Sequence, residues 1–489
     1  MAAFIVYNKM SAQQQLTALL HTEGLYERQS RWDILRLIVS FSIPSILAQI
    51  SQVLMFFIDA SMVGHLGAQA SASIGLIEPA GWLFGSLTGA TAMGFSVQVA
   101  HAIGARDAGR ARDIIRKGYR YCLAVSILLA AAAALVARPL PHWLGGNDAI
   151  SGDASAYFLI FALSAPVFML ENLSSNILKA TGDMKRPSVI AISLCVFDVI
   201  FNYIFIYIFH QGVCGAAYGS VVAFIVTVIP LLYFVRKSFR KGFIQEINEK
   251  ENTEEVVEEK DNSLPSPFGE GQGGEAVSVA RTAFRISSPI ALQYVLMNGA
   301  QLISTSIVAP LGTVAIAAHS LSITAESLCY MPGYGISDAA TTLVGQSYGA
   351  GRKDLLRKFA ASTIGLAMSV MAFMGLLMWI FAPEMIAVLS PDIHVQALGA
   401  AVLRIEAWAE PFFGAAIVCN AVFVAMGDTL WPAVMNLGSM WCVRLTLAFW
   451  LSKTYGLRGV WIAMATELTF RGTIFLIRLW RKLRRTGKV

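Results

Sequence analysis

The sequence predicts an all-α polytopic membrane protein: twelve transmembrane helices in two pseudo-symmetric six-helix bundles. Composition and an internal repeat predict it. The 489 residues are 56% hydrophobic and 14% charged, with a mean hydropathy of +0.60, far from the roughly 25% charged residues of soluble domains. Apolar stretches long enough to cross a bilayer, which takes about 20 residues, lie near 38–62, 71–103, 118–137, 155–180, 187–210, 213–235, 286–310, 313–349, 359–382, 395–426, 432–452 and 457–480. Hydrocarbon cannot satisfy free backbone groups, so these stretches are expected to be helices whose Gly and Pro serve as kinks or close-packing points.

The repeat appears when the chain is slid on itself by 245 positions. Pro44 then meets Pro289, Leu66-Gly67 meets Leu311-Gly312, Gly104-Ala105 meets Gly349-Ala350, and Arg112 meets Arg357. Further on, Pro166 meets Pro411, Gly182-Asp183 meets Gly427-Asp428, and Pro187 meets Pro432; one residue of slippage then pairs Gly212 and Gly215 with Gly456 and Gly459. Six spans per half start both halves on the same face, so the repeats are parallel and not inverted. The expected organisation is an N-terminal segment (1–37), an N-lobe (38–243), an acidic, Pro- and Gly-rich disordered linker (244–280), a C-lobe (281–480) and a basic tail (481–489). The linker carries ten Asp or Glu against two Lys, so the rest of the chain is far more basic than the net charge of +6 implies.

Short loops rich in Lys and Arg favour the cytoplasm. Arg106, Arg110, Arg112 and Arg116 follow the second span, Lys185 and Arg186 the fourth, Arg236 and Lys237 the sixth, and Arg352 and Lys353 the eighth. All fall on one side, which with an even span count makes both termini cytoplasmic. Residues 1–37 lack an apolar core leading to a small-residue cleavage site, so the first span is expected to be retained. The expected location is the plasma membrane, the bacterial inner membrane in particular. The basic residues then meet anionic membrane lipids and no nucleic acid, since no basic stretch is interleaved with aromatics for stacking bases.

Cys122, Cys195, Cys214, Cys329, Cys419 and Cys442 show no C-x-x-C spacing and read as packing residues, with no metal or cofactor implied. No G-x-x-x-x-G-K-[ST] loop supports ATP-driven transport. No catalytic cluster supports a membrane-embedded enzyme, the non-transport alternative.

Several motifs together resemble the multidrug and toxic compound extrusion (MATE) family. They are Pro44, the stretch from Ile58 through Asp59 to His65-Leu66-Gly67, Ile103-Gly104-Ala105-Arg106, and Lys179-Ala180-Thr181-Gly182-Asp183 followed by Pro187. The second half echoes them in Pro310-Leu311-Gly312, Gly345-Gln346-Ser347-Tyr348-Gly349-Ala350 and Met426-Gly427-Asp428. The resemblance covers nearly the whole chain outside the termini and linker. It implies two six-helix lobes forming a V around a central cavity, and a monomer is expected. It also implies secondary active export of amphipathic, often cationic small molecules, coupled to entry of protons or sodium. Distant relatives flip lipid-linked glycans, which is the alternative within transport.

An ionisable group near the bilayer centre costs about 2.5–3.5 kcal/mol, so each is a functional candidate. Asp59, in the first span, matches the acid the family uses for coupling. Asp198 and Asn202 lie one turn apart in the fifth span and so share a face. The proton-coupled branch carries Asn then Asp there, and here the order is reversed. Asn176 belongs to the same polar set, which makes Asp59, Asp198, Asn202 and Asn176 the ion-coupling candidates. Asp59, Asp198, Glu78, Glu171, Asn172, Met297, Glu326 and Glu410 are the candidates for substrate contact. The sodium-coupled branch carries an acid in the seventh span and another in the tenth, where this chain holds Met297 and Ala415. Glu406 and Arg444 are further buried charges, and Arg444 is expected to pair with one of the acids. Glu467 and Arg471 are expected to pair with each other at i,i+4 spacing. His101 and His319 are expected to pack.

Overall fold

A computed structural model describes residues 11–22, 30–144, 146, 148–239 and 275–485. The described residues are helical almost throughout, in the order α1 (Ala12–His21), α2 (Arg31–Gly64), α3 (Ala68–Gly104), α4 (Ala108–Ala137), α5 (Leu140–Trp143), α6 (Asp148–Leu163), α7 (Ala165–Ala180), α8 (Lys185–Tyr203) and α9 (Gly212–Lys237). The second half continues with α10 (Glu275–Val308), α11 (Thr313–Gly349), α12 (Lys353–Leu389), α13 (Ile393–Glu406), α14 (Glu410–Ala425), α15 (Leu430–Gly438), α16 (Thr446–Tyr455) and α17 (Leu457–Arg485). Among the described residues eight spans are long and apolar enough to cross a membrane, and the bent pairs α6–α7 and α13–α14 bring the number to ten. The 37-residue helices α3 and α11, diluted by Gly, Ala, Ser and Thr, complete twelve.

Local chemistry explains why the halves match. The bent spans break by 48° and 58° where Pro166 and Pro411, repeat partners, open the second helix of each pair. A proline in the first turn lacks only an N–H that would go unbonded there, so it starts a helix and cannot continue one. Turns at Gly67 and Gly312 (φ 109° and 98°), and at Gly182 and Gly427 (φ 88° and 76°), need a backbone that only glycine adopts freely. The fifth span of each half contains a π-helical stretch, Ile204–Ile208 after α8 and Ser439–Leu445 after α15.

Two compact units emerge, and they do not coincide with the sequence halves. One holds the described residues within 1–50, 292–344 and 352–489; the other holds those within 51–291 and 345–351. Helices α2, α10 and α11 are therefore each shared between units. In the first unit, α2 runs so close to α11 that a Cβ at Gly335 would fall 2.6 Å from the Ile46 backbone. In the second, a Cβ at Gly94 would fall 2.6 Å from the Ala283 carbonyl of α10, and Ser287 Oγ donates to the Thr91 carbonyl of α3 at 3.4 Å. Also in the second unit, the ends of α3 and α11 cross symmetrically: Gly104 abuts Gln346 and its repeat partner Gly349 abuts His101. His101 and Gln346 are themselves 245 residues apart, so this crossing obeys the repeat. The His101 ring packs on Tyr348, with centroids 5.1 Å apart.

The linker expected over 244–280 lies mostly outside the described residues. Its end is corrected: residues 275–280 are the first turns of α10. Of the N-terminal segment, 12–21 form α1, whose Leu16, Leu19 and Leu20 are buried, and α2 begins at Arg31. The tail is helical through Arg485.

Candidate functional site

In the second unit Asp59 of α2 meets Asp198 and Asn202 of α8. The Asn202 amide nitrogen donates to Asp59 Oδ1 at 2.9 Å and to Asp198 Oδ2 at 2.9 Å, so one NH2 group bridges two carboxylates. Asp198 and Asn202 are buried, at 0% and 1% exposure, while Asp59 is half-buried. Among the described residues, neither Asp198 Oδ1 nor Asn202 Oδ1 has a hydrogen-bond partner. Reversal of the Asp and Asn order does not prevent the contact, because i and i+4 lie on one face. Tyr207 secures the same helix pair, donating from Oη to the Met62 carbonyl at 3.0 Å.

The close approach of α9 holds Asn202 in place. A Cβ at Gly219 would overlap the Asn202 side chain and backbone, and one at Gly215 would fall 2.9 Å from the Phe205 carbonyl. In the sequence Gly215 stood out only as a repeat partner and Gly219 not at all. Their spacing, Gly215-x-x-x-Gly219, is the small-residue signal that brings helices together in membranes.

Among the described residues, the other N-half candidates make no hydrogen bond to this bridge. Asn172 donates its amide to the Phe168 carbonyl one turn back at 3.1 Å. Glu171 and Asn176 are half-buried, and among the described residues the hydrogen bonds to the two aspartates come from Asn202. Glu78 is exposed and accepts from Trp82 Nε1 at 3.2 Å.

The first unit holds a second set of buried charges. Glu326, Glu406 and Glu410 are 5%, 0% and 1% exposed. Among the described residues, both carboxylate oxygens of Glu406 and both of Glu410 lack a hydrogen-bond partner. Arg444 lies in electrostatic range of Glu326 and Glu406. Contrary to expectation it forms no ion pair within 4 Å among the described residues, and its guanidinium contacts the Met464 thioether. Glu467 and Arg471 do pair, at 3.2 Å, and Ser439 Oγ donates to the same Glu467 oxygen at 2.6 Å. His319 accepts from Trp461 Nε1 at 3.1 Å, the packing expected of it. Met297 packs beside Ala300, Met440 and Leu445, with no acid at its position.

The profile of the MatE family matches residues 44–204 and 289–450, two copies whose starts are the repeat offset apart. Similar curated proteins include the probable multidrug resistance protein NorM of Thermotoga maritima, 24% identical with 92% of this chain and 94% of that protein covered. The NorM of Pseudomonas aeruginosa is 28% identical, with 89% and 86% covered. Among solved structures, a MATE crystallised in complex with MaL6 matches at a TM-score of 0.83 and 20% identity, over 96% of this chain and 99% of that one. A MOP superfamily transporter from Pyrococcus furiosus, described as having a binding pocket of reverse polarity, matches at 0.83 and 19%, over 96% and 98%. A duplicated family match spanning both halves, on an all-helical fold shared with these transporters, makes this chain a multi-pass membrane transporter of the MatE family.

Proposed function

We propose that the chain exports amphipathic, often cationic small molecules by alternating access, driven by protons entering through Asp59, Asn202 and Asp198. The observation that carries the reading is the single Asn202 amide bridging carboxylates from two helices. A proton arriving on Asp59 removes the charge that holds the amide and lets α2 repack against α8; its release restores the bridge. A low-dielectric site with two acids suits proton exchange, and a cationic substrate competes for the same negative charge. The unpartnered Asp198 and Asn202 oxygens are the acceptors available to either. The names of the bacterial relatives support the substrate class. The arginine- and lysine-rich loops support an inner-membrane protein with cytoplasmic termini.

Uptake of a panel of cationic dyes into inverted vesicles, with proton and sodium gradients imposed separately, tests this. Uptake is expected with the proton gradient alone. Uptake driven only by sodium would move the coupling site elsewhere, and absence of all dye uptake would favour the flippase reading.

A further inference from the structure

We propose that the groove between the basic ends of α4 and α9 binds an anionic phospholipid, its phosphate held by Arg112 and Arg236. The groove has a volume of about 670 Å³ and is lined by Arg112, Ile115 and Tyr119 of α4 and by Leu232, Val235, Arg236 and Phe239 at the end of α9 and just beyond. It lies wholly within the second unit.

Its polarity runs in one direction. Arg112 and Arg236 are exposed, while Ile115, Val235 and Phe239 form a buried apolar floor. Tyr119 contributes its ring as a wall, because its hydroxyl is engaged with Ser174 Oγ at 2.8 Å. Toward the bilayer, Ile229 and Ile225 continue the face of α9 that carries Leu232 and Arg236, and they are 62% and 43% exposed. A cationic end grading into an exposed apolar track is the complement of a phosphate headgroup with its acyl chain. Guanidinium groups suit phosphate because their N–H donors match its oxygens two at a time. Arg112 spends one N–H on the Phe239 carbonyl at 3.4 Å, which fixes the guanidinium over the groove and leaves its other donors available. Basic pockets between transmembrane helices at the cytoplasmic surface hold anionic headgroups for this reason, and the loop charges place this end of α4 and α9 on that surface. The occupant proposed is a lipid, because a phosphate headgroup with its acyl chain meets both the arginines and the apolar track.

Native mass spectrometry of the purified full-length protein, titrated with phosphatidylglycerol and with phosphatidylcholine of the same acyl chains, tests the proposal. Phosphatidylglycerol should be retained in preference. R112Q/R236Q should weaken its retention about 25-fold, about fivefold for each arginine. R481Q/R484Q, at exposed arginines of α17, should leave it unchanged. If the double variant fails to fold, R236Q alone should show the fivefold loss. Equal retention of both lipids, or an undiminished preference in R112Q/R236Q, overturns the proposal. So does displacement by millimolar inorganic phosphate, which marks a free-anion site. A gain in lipid binding when the acids of 246–261 are changed to Gln also overturns it, by identifying that segment as the resident occupant.

Discussion

The two sets of buried charge differ in how they are satisfied. In the N-half, two aspartates share one asparagine amide, every member of the trio makes a hydrogen bond, and Asp59 remains half-buried. In the C-half, Glu326, Glu406 and Glu410 are sealed from solvent, and the four oxygens of the latter two have no donor among the described residues. Arg444 lies in electrostatic range of Glu326 and Glu406, while Arg471 is committed to Glu467. In the proposed mechanism the N-half set exchanges the ion, with a half-buried acid held by one amide. The C-half set is built into the packing, and beside it lies the buried Glu467–Arg471 pair, where losing one charge strands the other.

That contrast predicts different responses to single substitutions. The largest effect is expected at Glu467→Ala, which leaves Arg471 without its anion in a site where the pair is almost wholly buried. Breaking such a pair typically costs about 3–5 kcal/mol. Melting followed by size-exclusion chromatography in detergent should show severe destabilisation, and wild-type melting would place this pair outside the structural core. Gly219→Ala comes next, because its methyl would push into Asn202. A stability loss of about 1–3 kcal/mol is expected, together with the loss of most proton-driven dye transport. Retention of full transport would mean that the bridge tolerates displacement.

The smallest effect lies outside both sets and compares the halves directly. Arg106 adopts φ 57° where its repeat partner Gly351 has φ 72°. Left-handed backbone strains a non-glycine residue by about 1–3 kcal/mol, so Arg106→Gly should raise the melting temperature slightly. A fall would show that the Arg106 side chain contributes more than its backbone loses.

Much of this architecture is legible in the sequence because it is local. Pro166 and Pro411 break their spans, and glycines with positive φ mark the same turns in both halves. The sharing of α2, α10 and α11 between compact units is not legible, since each is one unbroken apolar helix and the division is tertiary. At the site, Asp59, Asp198 and Asn202 are readable as polar residues in lipid, and the i,i+4 spacing puts two of them on one face. That Asn202 reaches both acids depends on the approach of α9 over Gly219, a contact that only packing reveals. Arg444 illustrates the converse, for charge complementarity pointed to a carboxylate partner while the fold sets its guanidinium against a thioether.

In the proposed mechanism the bridge between Asp59 and Asp198 carries the driving ion. Proton-gradient-driven dye uptake by Asp59→Asn in inverted vesicles, with expression and melting temperature measured on the same preparation, tests it most directly. Asparagine preserves the shape of the side chain and can accept from Asn202, so the protein should fold with wild-type stability while gradient-driven uptake disappears. Full proton-driven uptake by Asp59→Asn would contradict the account and transfer the coupling role to Glu326, Glu406 and Glu410.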